Sequence, residues 1–290
     1  MTTARRVAGG WLFVVLLSAA TLSGASVYNF ESCNQGPIGV WNNAPPPGCD
    51  GWYTTTGSTS KPASVGPYSF ITALGYAADP RGGNQGLVLS GSDNASPTVV
   101  RAQHDANFSP SAEWSIAYDL WALNLNPSGN SNGTDYIGSF SVLNAGTTNS
   151  AFIVVNGWDN SSTGSTWTSQ YDVYNATGTV GLKTPGAAWT GLSQNHWYSE
   201  STSFDKKTNR IFSVSITDLT TGVTTTVSPT DWYMAGGAGG VFGSNAFRFA
   251  GLGYTNGELV DNVTLGSVPE PASLLLTGLG FLALVAFRRR

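Results

Sequence analysis

Little in this sequence suits metal, redox or nucleophilic chemistry. Two histidines and two cysteines occur among 290 residues. Neither His104 nor His196 stands in a zinc-binding spacing, and two thiols alone do not complete a zinc shell. Glutamate is short as well: with the two terminal segments set aside, only Glu31, Glu113, Glu200 and Glu258 remain. The paired carboxylates that glycoside hydrolysis needs at a set separation are not evident. Glu113 and Asp119 share a strand face, but six residues at ~3.3 Å each put them roughly 20 Å apart. Gly129 to Gly133 has the Gly-x-Ser-x-Gly spacing, but polar loop flanks it where a nucleophile elbow needs a strand and a helix.

Positive charge is scarce too. The chain has 13 Lys and Arg against 17 Asp and Glu, and five of the 13 lie at its two ends. Residues 26–266 keep eight basic and sixteen acidic side chains, a net charge of −8. That balance excludes a nucleic-acid partner, which needs a basic face, and direct docking on anionic lipid. No segment holds a helical apolar period for about twelve residues. Long apolar runs occur only at the ends.

The N-terminal end has Arg5 and Arg6, then an apolar stretch from Val7 to Leu17, then the small-x-small site Ser23 to Ala25. This is the layout of a secretory signal peptide, residues 1–25, with cleavage expected before Ser26. Val7, Ala8 and Gly9 after the arginine pair favour the general secretory route over the twin-arginine one. The C-terminal segment, 267–290, has three parts in order. Pro269, Glu270 and Pro271 form a stiff non-helical step. Ala272 to Phe287 is uncharged and apolar, about 16 residues or roughly 24 Å of helix, short for a ~30 Å hydrocarbon core. Arg288, Arg289 and Arg290 then resist translocation. That order resembles the PEP-CTERM sorting signal of Gram-negative bacteria. The resemblance implies a transmembrane helix, processing by an exosortase-type membrane peptidase, and a link to exopolysaccharide and biofilm. It further implies an inner-membrane-anchored precursor that reaches the cell surface or extracellular matrix.

Residues 26–266 read as one domain of many short strands. Trp114 to Leu123 alternates with period two. Tyr136 to Leu143 with Ala151 to Val155, and Arg210 to Leu219 with Val223 to Val227, read as hairpins. Thr98 to Gln103, Gln170 to Tyr174, Phe247 to Tyr254 and Leu259 to Leu265 are further strands, and Gly157 to Thr168 reads as a polar loop. The fold class expected is all-β, a jelly-roll β-sandwich between a signal helix and a membrane helix. Cys33 and Cys49 are even in number and exported, so a disulfide is expected, closing a loop of about 17 residues.

Asn29 to Glu31, the Gly51-Trp52 step and Glu258 to Leu265 resemble the first and last strands of exported jelly rolls. Trp197 to Asp218 resembles the concanavalin-like, laminin-G-like group. There the first and last strands are neighbours, and the resemblance implies Glu31 and Asp261 as calcium ligands, hard oxygens that suit the ion. An exposed Glu and a loop-side Asp with no ion is the alternative. Trp158, Trp167, Tyr171 and Trp189 are candidates for stacking on sugar rings, with core packing as the alternative. Three functions follow: a non-catalytic exported surface or matrix protein that binds glycan, a glycoside hydrolase or lyase on the same fold, or a purely structural surface protein.

Overall fold

The computed structural model describes residues 23–39, 49–54, 60–73, 77–89, 99–109, 113–124, 136–146, 149–159, 165–194, 196–252 and 256–268. Most of the signal segment and all of Pro269, Glu270, Pro271, Arg288, Arg289 and Arg290 lie outside the described residues. Among the described residues no helix is long and apolar enough to cross a membrane.

The chain forms β1 (Ser23–Tyr28), β2 (Gly36–Pro37), β3 (Ser60–Pro62), β4 (Ser64–Pro67), a single helical turn α1 (Ser69–Thr72), β5 (Gln85–Val88), β6 (Val99–Asp105), β7 (Glu113–Asn124) and β8 (Tyr136–Leu143). It continues with β9 (Ser150–Trp158), β10 (Thr166–Tyr174), β11 (Val180–Lys183), β12 (Leu192–Ser193), β13 (Tyr198–Asp205), β14 (Arg210–Asp218), β15 (Val223–Val227), β16 (Ala246–Leu252) and β17 (Asn256–Val268). One sheet runs β15-β14-β13-β7-β17-β5-β4-β2, with β1 also on β17. The other runs β11-β10-β9-β8-β16-β6-β3, with β12 on β10. The two sheets stack as an all-β sandwich of the jelly-roll kind.

Alternation explains the layers. Ile116, Tyr118, Leu120 and Ala122 of β7 are buried on the inner face, and Phe140, Phe152, Phe204, Phe247 and Phe249 meet them from both sheets. Tyr118 lies 4.9 Å from Phe140 and 5.0 Å from Phe249 between ring centroids. Edge-on and tilted pairs of this kind suit the ring quadrupoles. A smaller cluster of Tyr68, Trp121, Trp197 and Leu259 covers part of the opposite face of the first sheet.

Both expected hairpins form, β8 with β9 and β14 with β15. The first and last strands are neighbours, Val27 facing Thr264 and Tyr28 facing Val263. Regular β1 register begins at Ser26, after a bulge that leaves Ser23 opposite Ser267. The 157–168 segment departs from the loop reading. Trp158 ends β9 and Trp167 lies in β10, where the two pair directly. Their rings are buried, so apolar packing extends the hairpin past the glycine and serine that suggested a turn.

Cys33 and Cys49 form the disulfide, with Cα atoms 4.5 Å apart. It ties the entry to β2 to the segment holding Trp52, a fully buried ring. Replacing both cysteines by alanine is expected to lower stability by about 3 kcal/mol, the chain-entropy value for a loop of this length. Thermal melts of wild type and double variant measure this, and equal melting temperatures would show that the bridge contributes nothing.

Candidate functional site

Two buried acidic clusters and one open face stand out. The first cluster lies between the sheets. On β13, Tyr198, Glu200, Thr202 and Phe204 share the inner face, so Glu200 enters the core by strand parity. Tyr118 donates to Glu200 Oε2 at 2.9 Å. Glu258 projects from β17 and accepts from Asn156 Nδ2 of the facing sheet. Both glutamates are 1% exposed. Burial pushes the Glu200 carboxyl up to about 7 and that of Glu258 up to about 8, the latter with a further push from Glu200. Space for Glu258 comes from Gly138: a Cβ there would lie 2.5 Å from the glutamate carboxyl carbon.

The second cluster lies on the opposite face of the first sheet. Asp119 and Asp261 face each other across β7 and β17, and the segment 79–85 folds over them. Asn262, in left-handed conformation at a bulge, donates to Asp79 at 3.0 Å and to Asp119 at 3.1 Å. Arg81 reaches Asp119 at 3.0 Å. Tyr68 donates to Asp261 Oδ2, and the Asn262 amide to its Oδ1 at 2.7 Å. Burial raises Asp79, holds Asp119 at about 7 and Asp261 at about 8, and neighbouring carboxylates add to the last two.

Glu31 and Asp261 are brought together. A Cβ on Gly83 would lie 2.8 Å from Glu31 Oε1 and 3.4 Å from Asp261 Oδ2. The fit to calcium is only partial. Both oxygens of Asp261 accept hydrogen bonds, and Glu31 Oε1 accepts from the amides of Asn84 and Gln85 at 2.6 and 3.1 Å. Calcium takes six to eight oxygens, and among the described residues no group of three or more metal-ligating side chains could hold an ion.

The four aromatic candidates all lie inside. Trp167, Tyr171 and Trp189 are fully buried and Trp158 is 3% exposed. Trp167 packs on Tyr198, and Tyr171 on Trp232. None of the four presents a ring to a glycan: β9 and β10 turn Trp158, Trp167 and Tyr171 toward the core, and Trp189 is buried at the end of the short helical turn Ala187–Trp189.

The open face is the outer side of the second sheet. Two hollows of about 410 and 360 Å³ share Ser150 and Ile153 as wall residues. Arg101, Arg248 and Tyr136 line the larger one, and Asp172, Tyr174 and Phe242 the smaller. Arg248 is nearly buried, and its Nε and Nη2 both donate to Gln103 Oε1. The Gln103 amide donates to the Tyr53 hydroxyl at 2.7 Å, and Tyr53 donates to Asp105. Sequence reasoning missed this face. Its signal was a cation at alternating positions in two apolar strands: Arg101 follows Val99 and Val100, and Arg248 separates Phe247 from Phe249.

No curated protein matches the chain. Among solved structures it is similar to peanut lectin with a nine-residue peptide, at 12% identity over 85% of this chain and 99% of that one, TM-score 0.42. It is also similar to arcelin-5, a lectin-like defence protein from Phaseolus vulgaris (11%, 84% and 98%, TM-score 0.36), and to a sialidase of which the match spans 19% (9% identity, 85% of this chain, TM-score 0.43). Scores and identities at this level carry no argument about binding or catalysis. Residues 267–290 match the PEP-CTERM protein-sorting motif, so the chain is an exported protein sorted through its C-terminal tail.

Proposed function

We propose that this chain is a non-catalytic cell-surface or extracellular-matrix protein of a Gram-negative bacterium, whose sandwich domain binds glycan. The observation that carries the reading is the sorting motif at 267–290. An exosortase-type peptidase is the processing partner, acting on a precursor held in the inner membrane. Pro269, Glu270 and Pro271 are the recognition element for that peptidase, since prolines disfavour helix and peptidase clefts grip non-helical chain by strand-like hydrogen bonds. Arg288, Arg289 and Arg290 halt translocation.

Two features support a binding role over a hydrolytic one. Glu200 and Glu258, which interact electrostatically, are sealed between the sheets, where no polysaccharide reaches them. The open groove on the second sheet is lined by arginine, tyrosine and serine, with Asp172 as the one carboxylate among the described lining residues. Release of reducing sugar from common polysaccharides, lost on Glu200→Gln or Glu258→Gln, would favour the hydrolase instead.

Changing Glu270 to Ala is expected to leave full-length protein in the membrane fraction while wild type is shortened and released. The melting temperature of the sandwich should not move. The check is a membrane-fraction blot of wild type, the Glu270→Ala variant and a strain lacking the processing peptidase. If all three show the same full-length species, the tail is only an anchor.

A further inference from the structure

We propose that the groove on the outer face of the second sheet binds a negatively charged glycan, with the half-buried Arg101 as its anion contact and Arg248 as a fixed cation behind it. The inference rests on the glycan reading above and adds the site and the chemical class of the ligand.

The first argument is placement. Residues 26–266 carry only eight cations in a net charge of −8, yet two of them meet in one hollow. Arg248 on β16 faces Gln103, and Ala250 beside it faces Arg101 on β6, so the two arginines are diagonal neighbours across the pair. Like charges this close destabilise a sheet. Edge protection does not account for them, because β16 lies between β8 and β6, well inside the sheet.

The second argument is the manner of fixing. Arginine in such a place ordinarily pairs with a carboxylate. Here a neutral amide, Gln103, takes two of the Arg248 donors, and Asp105, opposite Ala246 and diagonal to Arg248 on the other side, joins only two links further along the chain of hydrogen bonds. Among the described residues no other hydrogen-bond acceptor and no ion-pair partner is found for the Arg248 guanidinium. The Arg101 guanidinium makes no hydrogen bond or ion pair among the described residues. Burial, with the Arg101 charge adding to it, lowers Arg248 to about 10. An anion in the hollow would relieve that repulsion and supply the planar, two-oxygen partner that guanidinium prefers.

The third argument is shape. The hollow at the arginines continues past Ser150 and Ile153 into the one beside Tyr174 and Phe242. Each is of ligand size, and together they form a track suited to consecutive sugar units rather than to a lone inorganic ion. Tyr136 lines one end of the track and Tyr174 the other, aromatic residues of the kind that pack against sugar rings. Asp172 at the far end repels a second acid, so the charged unit sits at the Arg101 end.

Carboxylate and sulfate share this chemistry, and the test separates them. The full chain in detergent is titrated with polygalacturonate, dextran sulfate and neutral dextran. Binding to one or both anionic polymers is expected, weakening as salt is added. Arg101→Ala should weaken it about tenfold or more, the loss of one charge-assisted contact. Arg101→Glu should abolish it, Arg101→Lys should restore part of it, and the melting temperature should stay unchanged throughout. The anionic polymer that responds to these changes names the carboxylate or the sulfate as the ligand group. Binding to neutral dextran alone, or anionic binding untouched by Arg101→Glu, would overturn this site while leaving a glycan-binding protein. No binding to any of the three polymers would overturn both readings.

Discussion

Raising the pH from 5 to 9 is expected to destabilise the sandwich, by about 3–5 kcal/mol from Glu258 alone. The cause is the interior position of Glu200 and Glu258, held at about 7 and about 8 by burial. In the unfolded chain both carboxyls titrate near the ordinary value of 4.5. Below that value folded and unfolded states are both protonated, and the contribution is fully present. As pH rises the unfolded chain releases its protons while the folded chain keeps them, so stability falls until the folded values are passed near pH 8. Asp119 and Asp261, raised to about 7 and about 8, act with the same sign. Glu258→Gln keeps an oxygen for Asn156 and removes the titration. It should be near neutral at pH 5 and more stable than wild type at pH 9. Urea melts across the range decide it; stability that is flat or rises with pH would remove the case for protonated interior carboxyls.

Adding one methyl group at Gly251 is expected to cost about 3 kcal/mol or more, at the upper end of overpacking effects. Gly251 lies on β16 directly opposite Gly138 on β8. Its Cβ would sit 2.0 Å from the Leu89 carbonyl oxygen and 3.0 Å from the carbonyl carbon. That carbonyl cannot swing away freely, because the Leu89 amide is tied to the Glu258 carbonyl at 2.8 Å. The two sheets would have to part. The backbone at Gly251 does not need positive φ, so the penalty is steric only. Gly181→Ala is the control, with nothing within 4 Å of its added carbon. A Gly251→Ala melt within a degree or two of the control would refute the close approach.

Period and turn chemistry made most of the strands legible. The strand expected from Trp114 to Leu123 is β7 with one residue added at each end, and Val223 to Val227 is β15 as read. Alternation fixes such strands because each has one face in the core. The aromatic candidates were misplaced for a local reason. Gly157 and the serines after it suggested a polar loop, but Trp158 and Trp167 pair across it, and that partnership is not visible within either segment. Glu200 could have been placed in the core, since Tyr198, Thr202 and Phe204 flank it at even spacing. The groove could not. Arg101 and Arg248 stand 147 positions apart in sequence and meet only because β6 and β16 pair.

The position of β17 bears on what happens when a tethered molecule is pulled. β17 carries the sorting tail at its end, and it is gripped by β7 on one side and by β5 and β1 on the other. Tension drawn along the tail therefore runs parallel to the strand and loads both ladders in shear, so many hydrogen bonds must fail together. Unzipping an edge strand such as β15 breaks them one at a time. Forced unfolding is governed by the unfolding barrier, and shear loading of an interior strand raises the force needed to cross it. A domain joined to its sorting tail in this way resists a pull on that tail better than its equilibrium stability alone would suggest.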